Sequence, residues 1–178
     1  PYTTLFRSET NTSGIDIDSA YSGNITTGLI KFIGVNSSGT NDGTYYTING
    51  TGSSAGVDGL RPAGPDFLYL ENIRVTAFAG DGMDNPGSTE SNNWYLNHCA
   101  FDHNGEEGIE TNAIRFSLIF RCTFNNNVNG MVTTGATPGS VMFSSFHHNS
   151  GVGAYASNEN VGMYIGCLFY SNGTYGLT

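Results

Sequence analysis

The segment YLNHCAFDHN, residues 95–104, recurs three times further along the chain: LIFRCTFNNN at 118–127, SVMFSSFHHN at 140–149 and MYIGCLFYSN at 163–172. Each segment has an apolar residue second, a small residue fifth, phenylalanine seventh and asparagine tenth. The segments begin 23, 22 and 23 residues apart. A period of this length is typical of solenoids, in which each repeat is one unit of a stack.

Other positions keep the same period. An apolar residue follows a glycine six or seven residues after each phenylalanine, as in Gly108-Ile109 and Gly130-Met131. A weaker copy of the repeat lies before these segments and ends at Gly82-Met83. Leucine-rich repeats share the period but need several leucines at fixed offsets, which this chain lacks. Three short strand-like pieces per repeat, separated by glycine and asparagine, favour a β-helix instead.

The sequence therefore predicts an all-β fold: a right-handed parallel β-helix with about 22 to 23 residues per coil. Backbones of successive coils pair at about 4.8 Å, so equivalent side chains form columns along the axis. We expect the phenylalanine column and the leucine, isoleucine and valine column to fill the interior. The asparagine column, Asn104 to Asn172, is predicted to form a hydrogen-bonded ladder at a bend of each coil.

These repeats resemble those of the pectate-lyase-like superfamily, closely over residues 67–178 and loosely over 20–66. The resemblance implies a carbohydrate-binding or carbohydrate-processing protein that is extracellular, on a cell surface or on a virion. An enzyme of this kind would be a polysaccharide lyase or a glycoside hydrolase, and its partner a polysaccharide or other glycan. Tail-spike members are often trimers, so the resemblance also implies a homotrimer. The chain departs from polygalacturonase-like members because it lacks their Asn-Thr-Asp and Gly-His-Gly elements.

Residues 1–8, PYTTLFRS, match the in-frame translation of a common sequencing adapter, so we interpret them as an artefact of a metagenomic fragment. Residues 9–66 are predicted to be early coils or their cap, and residues 67–178 the regular coils. Solenoids normally end in an atypical capping repeat, and none is visible before Thr178. We therefore expect the stack to be truncated at the C-terminus.

Composition restricts the function. The formal net charge is −9, with six lysine and arginine residues in all, which argues against nucleic acid as a partner. No apolar run approaches the roughly 20 residues of a membrane span. The three cysteines, Cys99, Cys122 and Cys167, have no Cys-x-x-Cys spacing, and we expect small core thiols rather than a zinc or disulfide set.

One insertion coincides with a group of acidic residues. The repeat glycine lies 14 residues before the next apolar column in one repeat and 11 in the next three, which puts a three-residue insertion between Asp84 and Trp94. In solenoids such insertions often mark the binding face. Asp84 and Glu110 come two residues after a repeat glycine, and Asp81 and Glu107 come directly before one. We therefore expect these four carboxylates to lie together on two adjacent coils.

Three interpretations of this cluster remain open. It could be a solvated acidic patch, partly balanced by Arg61. It could bind calcium, which takes six to eight oxygen ligands; in that case Asp81, Asp84, Glu107 and Glu110 are the candidate ligands. It could supply an acid/base pair for sugar chemistry, with Asp84 and Glu110 as catalytic candidates. Tyr155, in the same column, is a candidate for stacking on a sugar ring. No cofactor other than calcium is expected.

The histidines are predicted to be polar surface or turn residues. His103 and His148 hold the same repeat position two coils apart, about 9.6 Å, which is too far to share one metal ion. His147 and His148 are adjacent, so in a strand they would point to opposite faces.

Overall fold

A computed structural model describes residues 3–6, 9–18, 29–63, 66–85, 91–111, 114–134, 139–157 and 162–178. Within these ranges the chain forms 20 short β-strands and no helix. The strands belong to three sheets of seven, seven and six strands, which we name A, B and C. Every pairing is parallel, and each coil adds one strand to each sheet in turn. The prediction of an all-β parallel β-helix is confirmed.

The strands of each sheet recur at every third position in the chain. Sheet A consists of β1 (Thr3–Phe6), β4 (Ile30–Gly34), β7 (Leu68–Glu71), β10 (Ser91–Asn97), β13 (Ile114–Phe120), β16 (Ser140–Met142) and β19 (Met163–Ile165). Sheet B consists of β2 (Glu9–Thr10), β5 (Tyr46–Asn49), β8 (Ile73–Thr76), β11 (Ala100–Asp102), β14 (Thr123–Asn125), β17 (Ser145–His147) and β20 (Leu168–Tyr170). Sheet C consists of β3 (Ile15–Asp18), β6 (Leu60–Ala63), β9 (Met83–Asn85), β12 (Ile109–Thr111), β15 (Met131–Thr133) and β18 (Ala154–Ala156).

The core is built from the columns that the repeat predicts. In sheet B, Phe101, Phe124, Phe146 and Phe169 are in register, and successive rings stack 5.6, 4.6 and 4.9 Å apart with interplanar angles of 8°. The first three of these side chains are fully buried. Two further columns are in register in the other sheets: Leu70, Leu96, Ile119, Val141 and Tyr164 in sheet A, and Met83, Ile109, Met131 and Ala154 in sheet C. No single coil buries its own apolar face, so stacking supplies the stability.

The predicted asparagine ladder is present at the corner between sheets B and C. We call it the amide ladder: Asn104, Asn127, Asn149 and Asn172. Each Oδ1 accepts the backbone N–H of the residue one coil earlier, as Asn127 Oδ1 does from Asn104 at 3.0 Å. Each Nδ2 donates to a carbonyl of the preceding coil, as Asn127 does to Phe101 at 3.0 Å. The ladder pairs polar groups that the core would otherwise bury alone.

Left-handed residues turn the chain at two corners. Between sheets A and B they form a column with φ between 49° and 54°: Asn72, His98, Arg121 and Phe143. Directly before the amide ladder they form a second column: Ala77, His103, Asn126, His148 and Ser171. Non-glycine residues rarely adopt positive φ, so the recurrence shows that the stack imposes this backbone geometry at every coil.

The predicted three-residue insertion lies between Asn85 and Ser91, because Asn85 pairs with Thr111, 26 positions later, whereas Ser91 pairs with Ile114, 23 positions later. A separate irregularity follows in β10. The register of β10 on β13 shifts on both sides of Trp94, and Asn93 has φ 63°. This is a β-bulge, which adds a residue to one strand without ending the sheet. The inserted positions themselves, within 86–90, lie outside the described residues.

Candidate functional site

Five acidic side chains lie close together at the starts of β9 and β12, the sheet C strands of two adjacent coils. We call this surface the carboxylate edge: Asp81, Asp84, Glu106, Glu107 and Glu110. Asp84 and Glu110 are paired in register on β9 and β12. The oxygens of Asp81, Asp84 and Glu110 lie within 4.8 Å of one another, as do those of Asp81, Glu106 and Glu107. The structure therefore brings together the four predicted carboxylates and adds Glu106.

Part of the edge belongs to a second ladder, which the sequence reasoning did not predict. Asp58 Oδ1 accepts the Asp81 N–H at 2.9 Å, and Asp81 Oδ1 accepts the Glu107 N–H at 2.6 Å. Asn129 then donates to Glu107 Oε1 at 2.6 Å and accepts the Val152 N–H at 2.8 Å. We call this run the acidic ladder. Asp81 is thus both a cluster carboxylate and an acceptor that holds two coils together.

Burial and mutual repulsion raise the pKa values of three carboxyl groups of the edge, those of Asp81, Asp84 and Glu110. Burial raises the pKa of Asp81 from 3.8 to about 8, and the neighbouring charges of Glu107, Asp58 and Glu110 add to the shift. Burial likewise raises the pKa of Asp84 to about 6, with Asp58 and Glu110 contributing. The pKa of Glu110 is also raised, first by burial and then by adjacent carboxylates. A group with a raised pKa favours the protonated form or an added cation.

Arg61 does not balance this charge, so that part of the solvated-patch interpretation is wrong. Its Nε lies 2.7 Å from Asp16 Oδ1, and its Nη2 donates to the Ser13 carbonyl at 2.9 Å. The cause is the register, because Asp16 on β3 pairs directly with Arg61 on β6. Among the described residues, the carboxylate edge has no ion-pair partner.

The raised pKa of Asp81 predicts that the protein loses stability as the pH rises. The folded protein keeps this proton at pH values where the unfolded chain has released it. The stabilisation is therefore complete below pH 3.8 and is lost as the pH rises to about 8. In an Asp81→Asn variant, an amide replaces the protonated acid at every pH. We expect the wild type to lose on the order of 2 kcal/mol between pH 5 and 8.5 relative to this variant, after allowance for solvent screening.

Urea unfolding at both pH values in EDTA measures this difference. Asp84→Asn serves as a comparison because the pKa of Asp84 is raised only to about 6. The loss of stability that comes from ionisation of Asp84 should therefore be complete near neutral pH. Identical pH dependence in the wild type and Asp81→Asn would mean that Asp81 ionises normally in the folded protein.

Tyr155 lies on the same face as the carboxylate edge but further along the stack. It is in register with Val132, which is in register with Glu110, so two strand spacings, about 10 Å, separate Tyr155 from that carboxylate. Its side chain is exposed. A sugar chain of a few residues could span both, and stacking by Tyr155 stays a prediction.

A groove at the corner between sheets A and B is a second candidate site. We call it the corner groove; it has a volume of about 510 Å³ and is lined by Asn41, Gly43, Glu71, Asn72, Asn97, His98 and Arg121. Asn97 donates to Glu71 Oε1 at 3.2 Å and to the Tyr69 hydroxyl at 3.0 Å. His98 stacks on Tyr45 with ring centroids 4.8 Å apart. Aromatic rings beside amides and a carboxylate suit a ligand rich in hydroxyl groups.

The sequence reasoning missed this groove, although the repeat contains its signal. His98 and Arg121 both directly precede the small-residue column, at a left-handed position where Asn72 and Phe143 also lie. Aligning the repeats on that column would have shown polar or large residues at this turn in four successive coils, before Gly166 in the last one. The contribution of Asn41 could not have been foreseen in this way, because it comes from a loop outside the regular repeat.

The prediction that His147 and His148 point to opposite faces is wrong. His147 ends β17, and His148 has φ 56°, so the alternation of a strand stops between them. Their Nδ1 atoms lie 2.8 Å apart. His103 does hold the same left-handed position as His148, but its Nδ1 contacts Asp102 Oδ2 at 3.0 Å.

The cysteines are free thiols, as predicted. Cys99 and Cys122 are buried, and Cys167 is half-buried. Cys99 and Cys122 contact the backbone carbonyls of Asn97 and Phe120 at 3.5 and 3.4 Å. Burial raises the pKa of the Cys122 thiol, as expected for a residue that only fills the core.

Comparison with protein-family models, with curated proteins and with solved structures gives no match. The described residues include no helix of the length and apolar character that a membrane span requires.

Proposed function

We propose that this protein is an extracellular glycan-binding β-solenoid whose carboxylate edge holds a calcium ion. The observation that carries the proposal is the approach of the Asp81, Asp84 and Glu110 oxygens to within 4.8 Å without an ion-pair partner among the described residues. Calcium prefers oxygen ligands and tolerates irregular geometry, so carboxylates from two coils suit it. A bound ion would replace the protons that the raised pKa values favour.

The glycan part of the proposal is supported by the surfaces around the edge and by the family resemblance. A calcium ion held by only part of its ligand shell can also coordinate the hydroxyl or carboxylate oxygens of a polysaccharide. Tyr155 offers an exposed ring on the same face, and the corner groove offers amide, carboxylate and aromatic contacts elsewhere on the stack. The net charge of −9 makes a cation useful for binding an acidic chain.

Calcium titration by calorimetry tests the proposal. We expect the wild type to bind calcium with a dissociation constant below about 1 mM, and an Asp84→Asn, Glu110→Gln double variant to bind at least tenfold more weakly. A control, Glu71→Gln, removes a carboxylate outside the edge and should bind calcium like the wild type. A glycan array with and without calcium then tests the ligand class.

Catalysis is a second candidate function, favoured by the Asp84 and Glu110 pair. Retaining glycosidases hold two carboxyl groups about 5 to 5.5 Å apart, and one of them needs a raised pKa to act as the acid. The oxygens of these two residues lie within 4.8 Å, and the pKa of Asp84 is raised to about 6. Release of reducing sugar without an unsaturated sugar product, lost in both Asp84→Asn and Glu110→Gln, would identify a glycoside hydrolase, because a polysaccharide lyase also releases reducing ends.

A structural or adhesive solenoid is the alternative without chemistry. The regular stack of three sheets, held by two ladders, favours it. Folded protein that binds neither calcium nor any glycan would establish this alternative. A homotrimer remains a proposal from the resemblance, and sedimentation equilibrium would test it.

A further inference from the structure

Two adjacent imidazoles face each other on the surface of sheet B. The Nδ1 atoms of His147 and His148 lie 2.8 Å apart, and the ring planes are at 84°. His148 is exposed and His147 is half-buried. This approach depends on the left-handed backbone of His148, which a continuing strand would not allow.

Tyr170, on the next coil, fixes both rings. It is in register with His147 and stacks on it with centroids 4.7 Å apart and an interplanar angle of 8°. It also meets the His148 ring edge-on at 5.6 Å. The two nitrogens are therefore held close together before any ligand arrives, which reduces the entropic cost of binding.

We propose that His147 and His148 chelate one divalent transition-metal ion, Cu²⁺ or Ni²⁺, through their two Nδ1 atoms. Metal–imidazole bonds are about 2.0 Å long, so two nitrogens at a right angle around the ion lie about 2.8 Å apart. A right angle is characteristic of the tetragonal geometry that Cu²⁺ and Ni²⁺ prefer. The tetrahedral angle of Zn²⁺ would need a separation of about 3.3 Å. The 2.8 Å separation is also that of the hydrogen bond joining the two rings without metal, so it makes a right-angle complex accessible with little movement, and the preference for Cu²⁺ rests on its place at the top of the affinity order.

Binding requires a change of tautomer but no net loss of a proton. Without metal, one ring donates its Nδ1–H to the other Nδ1. In the complex both Nδ1 atoms use their lone pairs for the ion, so the donating ring carries its proton on Nε2 instead. Water supplies the remaining ligands.

Equivalent positions in other coils lack one or both histidines. In the preceding coil, Asn125 is in register with His147, and Asn126 holds the left-handed position of His148. One coil earlier, these two positions are Asp102 and His103. The chain itself therefore shows that asparagine fits at both positions, which gives substitutions that preserve the fold.

The test is Cu²⁺ titration of the untagged protein at pH 8, where imidazoles are neutral. The Asp84→Asn, Glu110→Gln background removes the carboxylate edge as a competing site, so the result is independent of the proposed function. We expect one Cu²⁺ with two nitrogen ligands in the electron paramagnetic resonance spectrum. His147→Asn and His148→Asn should each weaken binding at least about tenfold, comparable to the known effect of disturbing a metal site.

His103→Asn is the matched control because it changes the same repeat position without touching the pair. It should leave Cu²⁺ affinity unchanged, and Ni²⁺ should bind the parent protein more tightly than Zn²⁺. Unchanged affinity in either His147→Asn or His148→Asn, a one-nitrogen spectrum, or tighter binding of Zn²⁺ than of Ni²⁺ would overturn the proposal.

Discussion

Replacing Asn127 with alanine is expected to lower the free energy of unfolding by about 3 to 5 kcal/mol. The substitution removes the acceptor of the Asn104 N–H and the donor to the Phe101 carbonyl, and both groups are in the interior. An unpaired buried polar group costs about 1 to 3 kcal/mol. The Asn149 amide oxygen also loses a donor. Because Asn127 lies in the middle of the stack, the urea transition should also broaden as the two halves uncouple.

Asn125→Thr is the control for this result. Asn125 ends β14, two residues before Asn127, and its side chain is half-buried and takes no part in the amide ladder. Threonine already fills the equivalent position of an earlier coil, at Thr76. This variant should unfold within about 0.5 kcal/mol of the wild type. A loss below about 1 kcal/mol in Asn127→Ala would show that water can replace the ladder.

Phe124→Ala is expected to cost a similar amount, about 3 to 5 kcal/mol, through a cavity rather than lost hydrogen bonds. The ring is fully buried and stacks on both Phe101, at 5.6 Å, and Phe146, at 4.6 Å. Removing it leaves a void between two rings that the paired strands hold in place, so collapse into the void is restricted. Thermal and urea unfolding both measure the loss.

Phe143→Asn is the control that distinguishes the cost of a core cavity from the cost of removing a phenylalanine outside the core. Phe143 is 56% exposed and has φ 50°, a conformation that asparagine adopts more readily. We expect no destabilisation beyond the lost edge contact with Phe120. Equal losses in the two variants would mean that the phenylalanine column is not the core.

The fold was predictable because every coil repeats the same inward residues. The phenylalanine column, the small-residue column and the amide ladder all lie where the period of 22 to 23 residues puts them. Sequence reasoning also placed Asp84 and Glu110 side by side, because pairing in register follows directly from the period.

The surface was less predictable because it depends on backbone angles and side-chain reach. The position of His148 in the repeat was correct, but its positive φ, which turns it toward His147, has no signature in one coil alone. Arg61 was placed beside the carboxylate edge, yet it bonds to Asp16, 45 positions earlier in the chain. Asp81 was identified as a carboxylate of the cluster, whereas its hydrogen bond to the Glu107 backbone could be seen only in three dimensions.

The side-chain acceptors of the two ladders serve opposite neighbours along the axis of the stack. In the amide ladder a side chain accepts from the coil before it, and in the acidic ladder a side chain accepts from the coil after it. The two coils that contain Asn104 and Asn127 therefore each give one acceptor to both neighbours and take one partner from both. Duplication of the gene segment for one of these coils would supply both ladders at once, so such a stack can lengthen in evolution by whole coils.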